Sequence, residues 1–148
     1  GEDTASHSTY RPVAVYASDV NGDGITELPR AVLMAGYKDT SSSDAVYMLD
    51  WYAYGIGKVP AKVATTYQNI SDAWSLLIDQ KWHDRITAIK ANDGGLSYVE
   101  FFEYRKNKMS IPLFNIYCAT GSNREYYAER TDPAGTDHAG HLLCQADK

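Results

Sequence analysis

The chain has 148 residues, a length typical of one domain that buries its own core. Its net charge of −5 and its pI near 5.2 argue against nucleic-acid binding, which normally requires a basic surface stripe. No apolar run approaches the roughly 18 residues that cross a bilayer, so we predict no transmembrane segment in this chain.

Short runs of aromatic and β-branched residues, separated by turn residues, predict many short strands. The polar residues 1–10 are expected to form a flexible tail, and residues 11–148 a single α+β domain. In chain order, the predicted strands cover 12–17, 27–35, 45–54, 61–68, 73–78, 85–91, 96–104, 111–119 and 141–146. The basic residues 105–108 are expected at a solvated hairpin tip.

One C-terminal segment has the signals of a helix. Ser122 precedes Glu125 by three residues, which is the spacing of a capping box, and Pro133 cannot easily continue a helix. We therefore predict one short helix over about 122–131. Residues 71–79 also begin with good capping residues, but their neighbours favour a turn and a strand. The predicted fold is α+β and predominantly antiparallel β-sheet, with an all-β sandwich as the alternative.

The acidic stretch after the first predicted strand is the strongest chemical signal. Counting Asp19 as position one, oxygen-bearing groups fall at every second position, up to position nine: Asp19, Asn21, Asp23, the backbone carbonyl of Ile25, and Glu27. Calcium takes six to eight oxygen ligands at about 2.3–2.6 Å, and alternate residues of a curled loop can supply them. These five residues are the predicted ligands of a structural Ca²⁺.

The loop is not an EF-hand, because position twelve is Arg30 and not a bidentate glutamate. Without that ligand, calcium binding should be weak, as it is in extracellular modules. A metal-free interpretation is also open, since Asp and Asn side chains form Asx-turns with the backbone. Glu27 would then be a solvated strand residue.

Two resemblances follow from these residues. The pattern Asp19-x-Asn-Gly-Asp-Gly-x-x-Glu27-Leu resembles the FG-GAP/VCBS-type calcium loop of β-propeller blades and secreted bacterial proteins, with Glu27 where those loops more often have Asp. A single copy implies no propeller. The order DVNGDGITELP, YQNISDAWSLLIDQKW and IPLFNIYCATGSNREYYAE is similar to uncharacterised secreted lipoproteins of Gram-positive bacteria. That resemblance implies an extracellular or envelope-anchored location and no established activity.

The first functional hypothesis is a non-enzymatic, exported cell-envelope protein with one structural calcium loop. A second is a carbohydrate- or peptide-binding module that uses exposed aromatic residues, since aromatic faces stack on such ligands. A third is a hydrolase with a dispersed active site, for instance His83 or His141 with a carboxylate. The aromatic candidates are Trp51, Tyr52, Tyr54, Trp74 and Trp82.

The chain contains two cysteines, Cys118 and Cys144, and both lie among apolar residues. This environment favours buried free thiols. A disulfide is the alternative if the two strands that carry them are neighbours in a sheet.

Overall fold

The computed structural model describes residues 12–38, 43–93, 96–119 and 142–145. Within these ranges the single helical element is a 3₁₀ turn, Gln80–Trp82. The strands in chain order are β1 (Leu28–Leu33), β2 (Tyr47–Ala53), β3 (Ala61–Asn69), β4 (Trp74–Leu77), β5 (Ile86–Asp93), β6 (Leu96–Arg105), β7 (Lys108–Ala119) and β8 (Leu142–Gln145).

The strands form two four-stranded sheets, one in the order β1-β2-β3-β4 and the other in the order β5-β6-β7-β8. All pairs are antiparallel except β7 with β8, which is parallel. The prediction of a predominantly antiparallel sheet is confirmed. The α+β class is not supported by the described residues, and the all-β alternative fits them. The predicted helix over 122–131 and the predicted tail over 1–10 lie outside the described residues.

The predicted strand over 12–17 is wrong. The chain there forms no ladder, and the nearest pairing is an isolated antiparallel bridge between Ser18 and Glu27. Tyr16, inside the predicted strand, is 84% exposed. A β-rich sequence adopts a strand only where another strand satisfies its backbone, and none of the described strands pairs with this segment.

The hairpin between β6 and β7 confirms the predicted basic tip. Lys106 and Asn107 are its two central residues, with φ angles of 50° and 59°. Positive φ at both central positions is the requirement of a type I′ turn, whose twist matches that of the strands. Because the turn is this tight, β7 begins at Lys108, three residues before the predicted start at 111.

The two sheets share one apolar core. Tyr67 of β3 and Phe101 of β6 meet edge to face, with ring centroids 5.3 Å apart, and Phe114 of β7 stacks on Phe101 at 4.9 Å. Trp74 packs against Tyr67 at 5.5 Å. Burial raises the pKa of Tyr67 to about 12, so its hydroxyl stays protonated in this core. These contacts fix the two sheets relative to each other.

A buried carboxylate on β6, that of Glu103, is paired with two arginines. The Glu103 side chain is 4% exposed, and its carboxylate accepts hydrogen bonds from Arg85 and from Arg105 Nε, the latter at 2.7 Å. The Arg85 guanidinium also lies over the Trp82 ring, 4.9 Å from its centroid. The hydrogen bond from Arg85, followed by that from Arg105, lowers the pKa of Glu103 below its usual value of 4.5.

This lowered pKa predicts a loss of stability in acid. A carboxyl group whose pKa is lower in the folded chain stabilises the fold above about pH 4.5 and loses that effect as the pH falls through the folded pKa. We expect the free energy of unfolding, measured by urea denaturation, to fall less between about pH 5 and pH 3 in Glu103→Gln than in the wild type. Identical pH profiles would contradict the prediction.

Candidate metal centre

The two ends of the acidic loop, Ser18 and Glu27, lie side by side in an isolated antiparallel bridge. Ser18 N donates to Glu27 O at 3.1 Å, and Glu27 N donates to Ser18 O at 3.0 Å. These two hydrogen bonds hold the ends of the loop together immediately before β1. The predicted ligands therefore lie on a closed turn, with a strand on its C-terminal side only.

Asp19 organises the backbone of this loop. Its Oδ1 accepts from Gly22 N at 2.7 Å and from Asp23 N at 3.2 Å, and its Oδ2 accepts from Gly24 N at 2.8 Å. The hydrogen bond from Gly24, with smaller contributions from Gly22 and Asp23, lowers the pKa of Asp19 below its usual 3.8. The carboxylate is consequently ionised at neutral pH, which is the state that binds a cation.

Two glycines allow the backbone to curl around Asp19. Gly22 has a φ of 77° and Gly24 a φ of 83°. These angles lie in the left-handed region, which costs residues with a Cβ free energy. Both amides can therefore point back toward the Asp19 carboxylate.

Asn21, Asp23 and Ile25 continue the turn. Asp23 N donates to Asn21 Oδ1 at 3.0 Å, and Asn21 Nδ2 donates to Asp23 Oδ2 at 2.9 Å. Ile25 N donates to Asp23 Oδ1 at 2.8 Å, while the Ile25 side chain is half exposed at the rim. These bonds are Asx-turns of the kind that the metal-free interpretation also predicts, so they do not separate the two interpretations.

The burial of Glu27 distinguishes the calcium-binding interpretation from the metal-free one. The metal-free interpretation expects a solvated side chain, but Glu27 is 0% exposed. Its Oε2 accepts from Val20 N at 2.9 Å, and its buried Oε1 has no hydrogen-bond partner within the described structure. Burying an ionised carboxylate costs free energy unless a charge or a hydrogen bond compensates it. This expectation of the metal-free interpretation is therefore wrong.

The three carboxylates converge. One oxygen each from Asp19, Asp23 and Glu27 lie within 4.8 Å of one another. No Lys or Arg of the described ranges forms a salt bridge with any of them. A divalent cation at this point would neutralise the repulsion among the three carboxylates, and Glu27 Oε1 would become one of its ligands. The donors are all oxygen, which suits a hard cation and not zinc.

A second polar group surrounds His83, which the hydrolase hypothesis named without identifying its buried carboxylate partner. Its Nε2 lies 2.9 and 3.0 Å from the two carboxylate oxygens of Asp50, and its Nδ1 lies 3.0 Å from Asp84 Oδ1. Asp50 is 4% exposed and also accepts from Thr65 Oγ1 at 2.6 Å. Lys62 Nζ is 3.9 Å from Asp50 Oδ2. His83 borders a cavity of about 590 Å³.

The partners of His83 decide what this group can do. A catalytic base needs one ring nitrogen that can accept a proton from a nucleophile or a water molecule. Here both nitrogens face carboxylates, and the Thr65 hydroxyl donates to Asp50 and not to His83. The arrangement is that of a structural bridge, in which the imidazole ring joins the buried carboxylate of Asp50 to the exposed carboxylate of Asp84.

Of the aromatic candidates, the tryptophans are used in packing. Trp51 is 1% exposed, and its Nε1 donates to Thr66 Oγ1 at 2.9 Å. Trp74 packs in the core and Trp82 lies under Arg85. Tyr54, directly after the end of β2, is 56% exposed. The predicted aromatic surface is therefore not assembled by the three tryptophans.

The segment before the loop lines a polar cleft of about 380 Å³. Pro12 and Val13 contribute to its lining on one side, and Asn69, Ser71 and Lys90 are among the other lining residues. The bridge from Ser18 to Glu27 is the backbone pairing that ties this segment to the body of the described structure. The acidic loop therefore stands between the cleft-lining segment and β1.

Comparison with protein-family models, with curated proteins and with solved structures finds no match for the chain. The described ranges contain no helix long and apolar enough to cross a bilayer. Any functional assignment therefore depends on the chemistry of the chain's own residues.

Proposed function

We propose that this protein is a non-enzymatic, exported cell-envelope protein whose acidic loop binds one structural Ca²⁺. The observation that carries the proposal is the buried carboxylate of Glu27, whose Oε1 has no hydrogen-bond partner in the described structure. Carboxylate oxygens of Asp19 and Asp23 lie close to that of Glu27 and could bind the same ion. A buried carboxylate with one oxygen unpartnered, beside two further carboxylates, is costly unless a cation is bound.

The ligand chemistry favours calcium over magnesium. The loop offers the carboxylates of Asp19, Asp23 and Glu27, the amide oxygen of Asn21 and the carbonyl of Ile25. Calcium accepts such a mixed and irregular set, with water completing the coordination, whereas magnesium requires a near-ideal octahedron and releases its water reluctantly. We expect a dissociation constant of about 10⁻⁴ to 10⁻³ M, the range of extracellular modules.

The role proposed for the ion is structural. Glu27 would bind the ion with its side chain while its backbone pairs with Ser18 and its Oε2 holds Val20 N. Binding would therefore stabilise the entry to β1. Weak binding of this kind is useful only where calcium is plentiful, which supports an exported location together with the resemblance to secreted lipoproteins.

Isothermal titration calorimetry tests the proposal. We expect the wild type to bind one Ca²⁺, and Glu27→Gln and Asp23→Asn to bind it at least about tenfold more weakly, because each loses a charged ligand. Asp79→Asn is the matched control: it removes an exposed carboxylate outside the loop and keeps the oxygen that accepts from Lys81 N. Absence of binding at 10⁻² M calcium, or equal binding by all variants, would refute the calcium site.

The hydrolase alternative has one supporting observation, the buried Asp50 beside His83 at a cavity. Engagement of both imidazole nitrogens weighs against it. His141, the other histidine of that hypothesis, lies outside the described residues. The binding-module alternative is weakened because the three tryptophans pack within the molecule and do not form a shared exposed surface. The calcium loop is therefore the favoured assignment.

A further inference from the structure

The parallel pairing of β7 with β8 brings the two cysteines of the chain opposite each other. The register aligns Ile116 with Leu142 and Tyr117 with Leu143, and it makes Cys118 the direct partner of Cys144. A shift of one residue in either direction would have separated them. Because the chain contains only these two cysteines, each meets the only other cysteine available.

Register partners on adjacent strands satisfy the first geometric condition for a disulfide. Neighbouring strands lie about 4.7–4.9 Å apart, within the range of about 4.4–6.8 Å for the Cα atoms of bridged cysteines. The register places Cys118 and Cys144 at the same level of their two strands. The condition that the sequence left open, that the two strands be neighbours, is fulfilled.

We propose that Cys118 and Cys144 form an intramolecular disulfide that joins β7 to β8. Each thiol gives up its proton and the pair loses two electrons as the S–S bond forms. The oxidant is a second disulfide, such as that of oxidised glutathione. Its S–S bond breaks, and the two electrons and two protons convert it into two thiols by way of a mixed disulfide.

The burial of Cys118 determines when this reaction can occur. The residue is 3% exposed in the folded chain, so an external disulfide cannot reach its sulfur there. The bridge must therefore form while the chain folds. It would close a loop of 27 residues, counted from 118 to 144 inclusive, and so restrict the unfolded chain. Such bridges persist in oxidising compartments, which agrees with the proposed exported location.

Counting thiols after folding tests the proposal directly. The chain is denatured, refolded with a mixture of reduced and oxidised glutathione, denatured again without reductant, alkylated with iodoacetamide and weighed intact. We expect monomers that carry no alkyl group, and two groups after prior reduction. Cys118→Ser is the control and should carry one group or a glutathione. Two alkyl groups on each refolded wild-type monomer, or bridged dimers in place of monomers, would overturn the proposal.

A melting experiment tests whether the bridge fits this register. We expect the bridged chain to melt on the order of 10 °C above the reduced chain, from the loop-closure effect in a domain of this size. An equal or lower melting temperature for the bridged chain would mean that the bond does not fit the observed pairing, and would overturn the proposal. Both measurements use calcium-free buffer, so failure of the calcium site leaves their outcome unaffected.

Discussion

Calcium at about one hundred times its dissociation constant should raise the melting temperature of the wild-type chain by about 5–10 °C. A ligand that binds only the folded state at this excess contributes about 2.7 kcal/mol, and each kcal/mol moves the midpoint of a domain of this size by about 2–4 °C. Differential scanning calorimetry in calcium and in chelator measures the shift directly.

The variant Glu27→Gln makes the same experiment sharper, because two changes of opposite sign are expected. In chelator it should melt above the wild type, since it removes a buried negative charge whose Oε1 has no partner. In calcium it should gain little, because the charged ligand is lost. A wild type that melts identically in calcium and in chelator would leave the buried Glu27 unexplained and would contradict a structural role for the ion.

Replacement of His83 by alanine should lower the free energy of unfolding by about 2–3 kcal/mol. A buried group that loses its hydrogen-bond partner typically costs about 1–3 kcal/mol, and a charged group costs more. Here Asp50 would keep the Thr65 hydroxyl and a distant Lys62, which reduces the loss. Urea denaturation at neutral pH measures the difference between variant and wild type.

Asp84→Ala is the matched control for this experiment. Asp84 bonds the other nitrogen of the same imidazole, but its side chain is 95% exposed, and exposed pairs contribute less than about 1 kcal/mol. A small effect at Asp84 beside a large effect at His83 would identify the bond to Asp50 as the one that stabilises the fold. Equal, small effects would contradict this assignment and would make a functional role for His83 more plausible.

Most strands of the two sheets could be predicted because the residue pattern of a strand is local in the sequence. Runs such as Leu96–Arg105 alternate in burial, and eight of the nine predicted strands overlap strands of the structure. The strand predicted over 12–17 is wrong because pairing is not local: the sequence showed the β propensity of the segment but not that no described strand would pair with it. For the same reason, the sequence could not show that Cys118 would be the register partner of Cys144.

The candidate metal site was predictable to the extent that its ligands are contiguous. Asp19, Asp23 and Glu27 lie within nine residues, and glycines between them determine the turn. The burial of Glu27 depends on packing and could not be predicted from the loop. The hydrolase hypothesis named His83, but its buried partner Asp50 could not be identified from the sequence, because the two residues are 33 positions apart and only the fold brings them together.

The bridge between Ser18 and Glu27 has a consequence for the cleft lined by Pro12 and Val13. The proposed calcium ligand Glu27 is also the anchor of that segment, so the free energy needed to detach the segment would include the binding energy of a bound ion. Calcium depletion would then loosen this part of the cleft before either sheet unfolds. Accessibility of the cleft would follow the external calcium level, although none of the proposed calcium ligands is among the residues that line it.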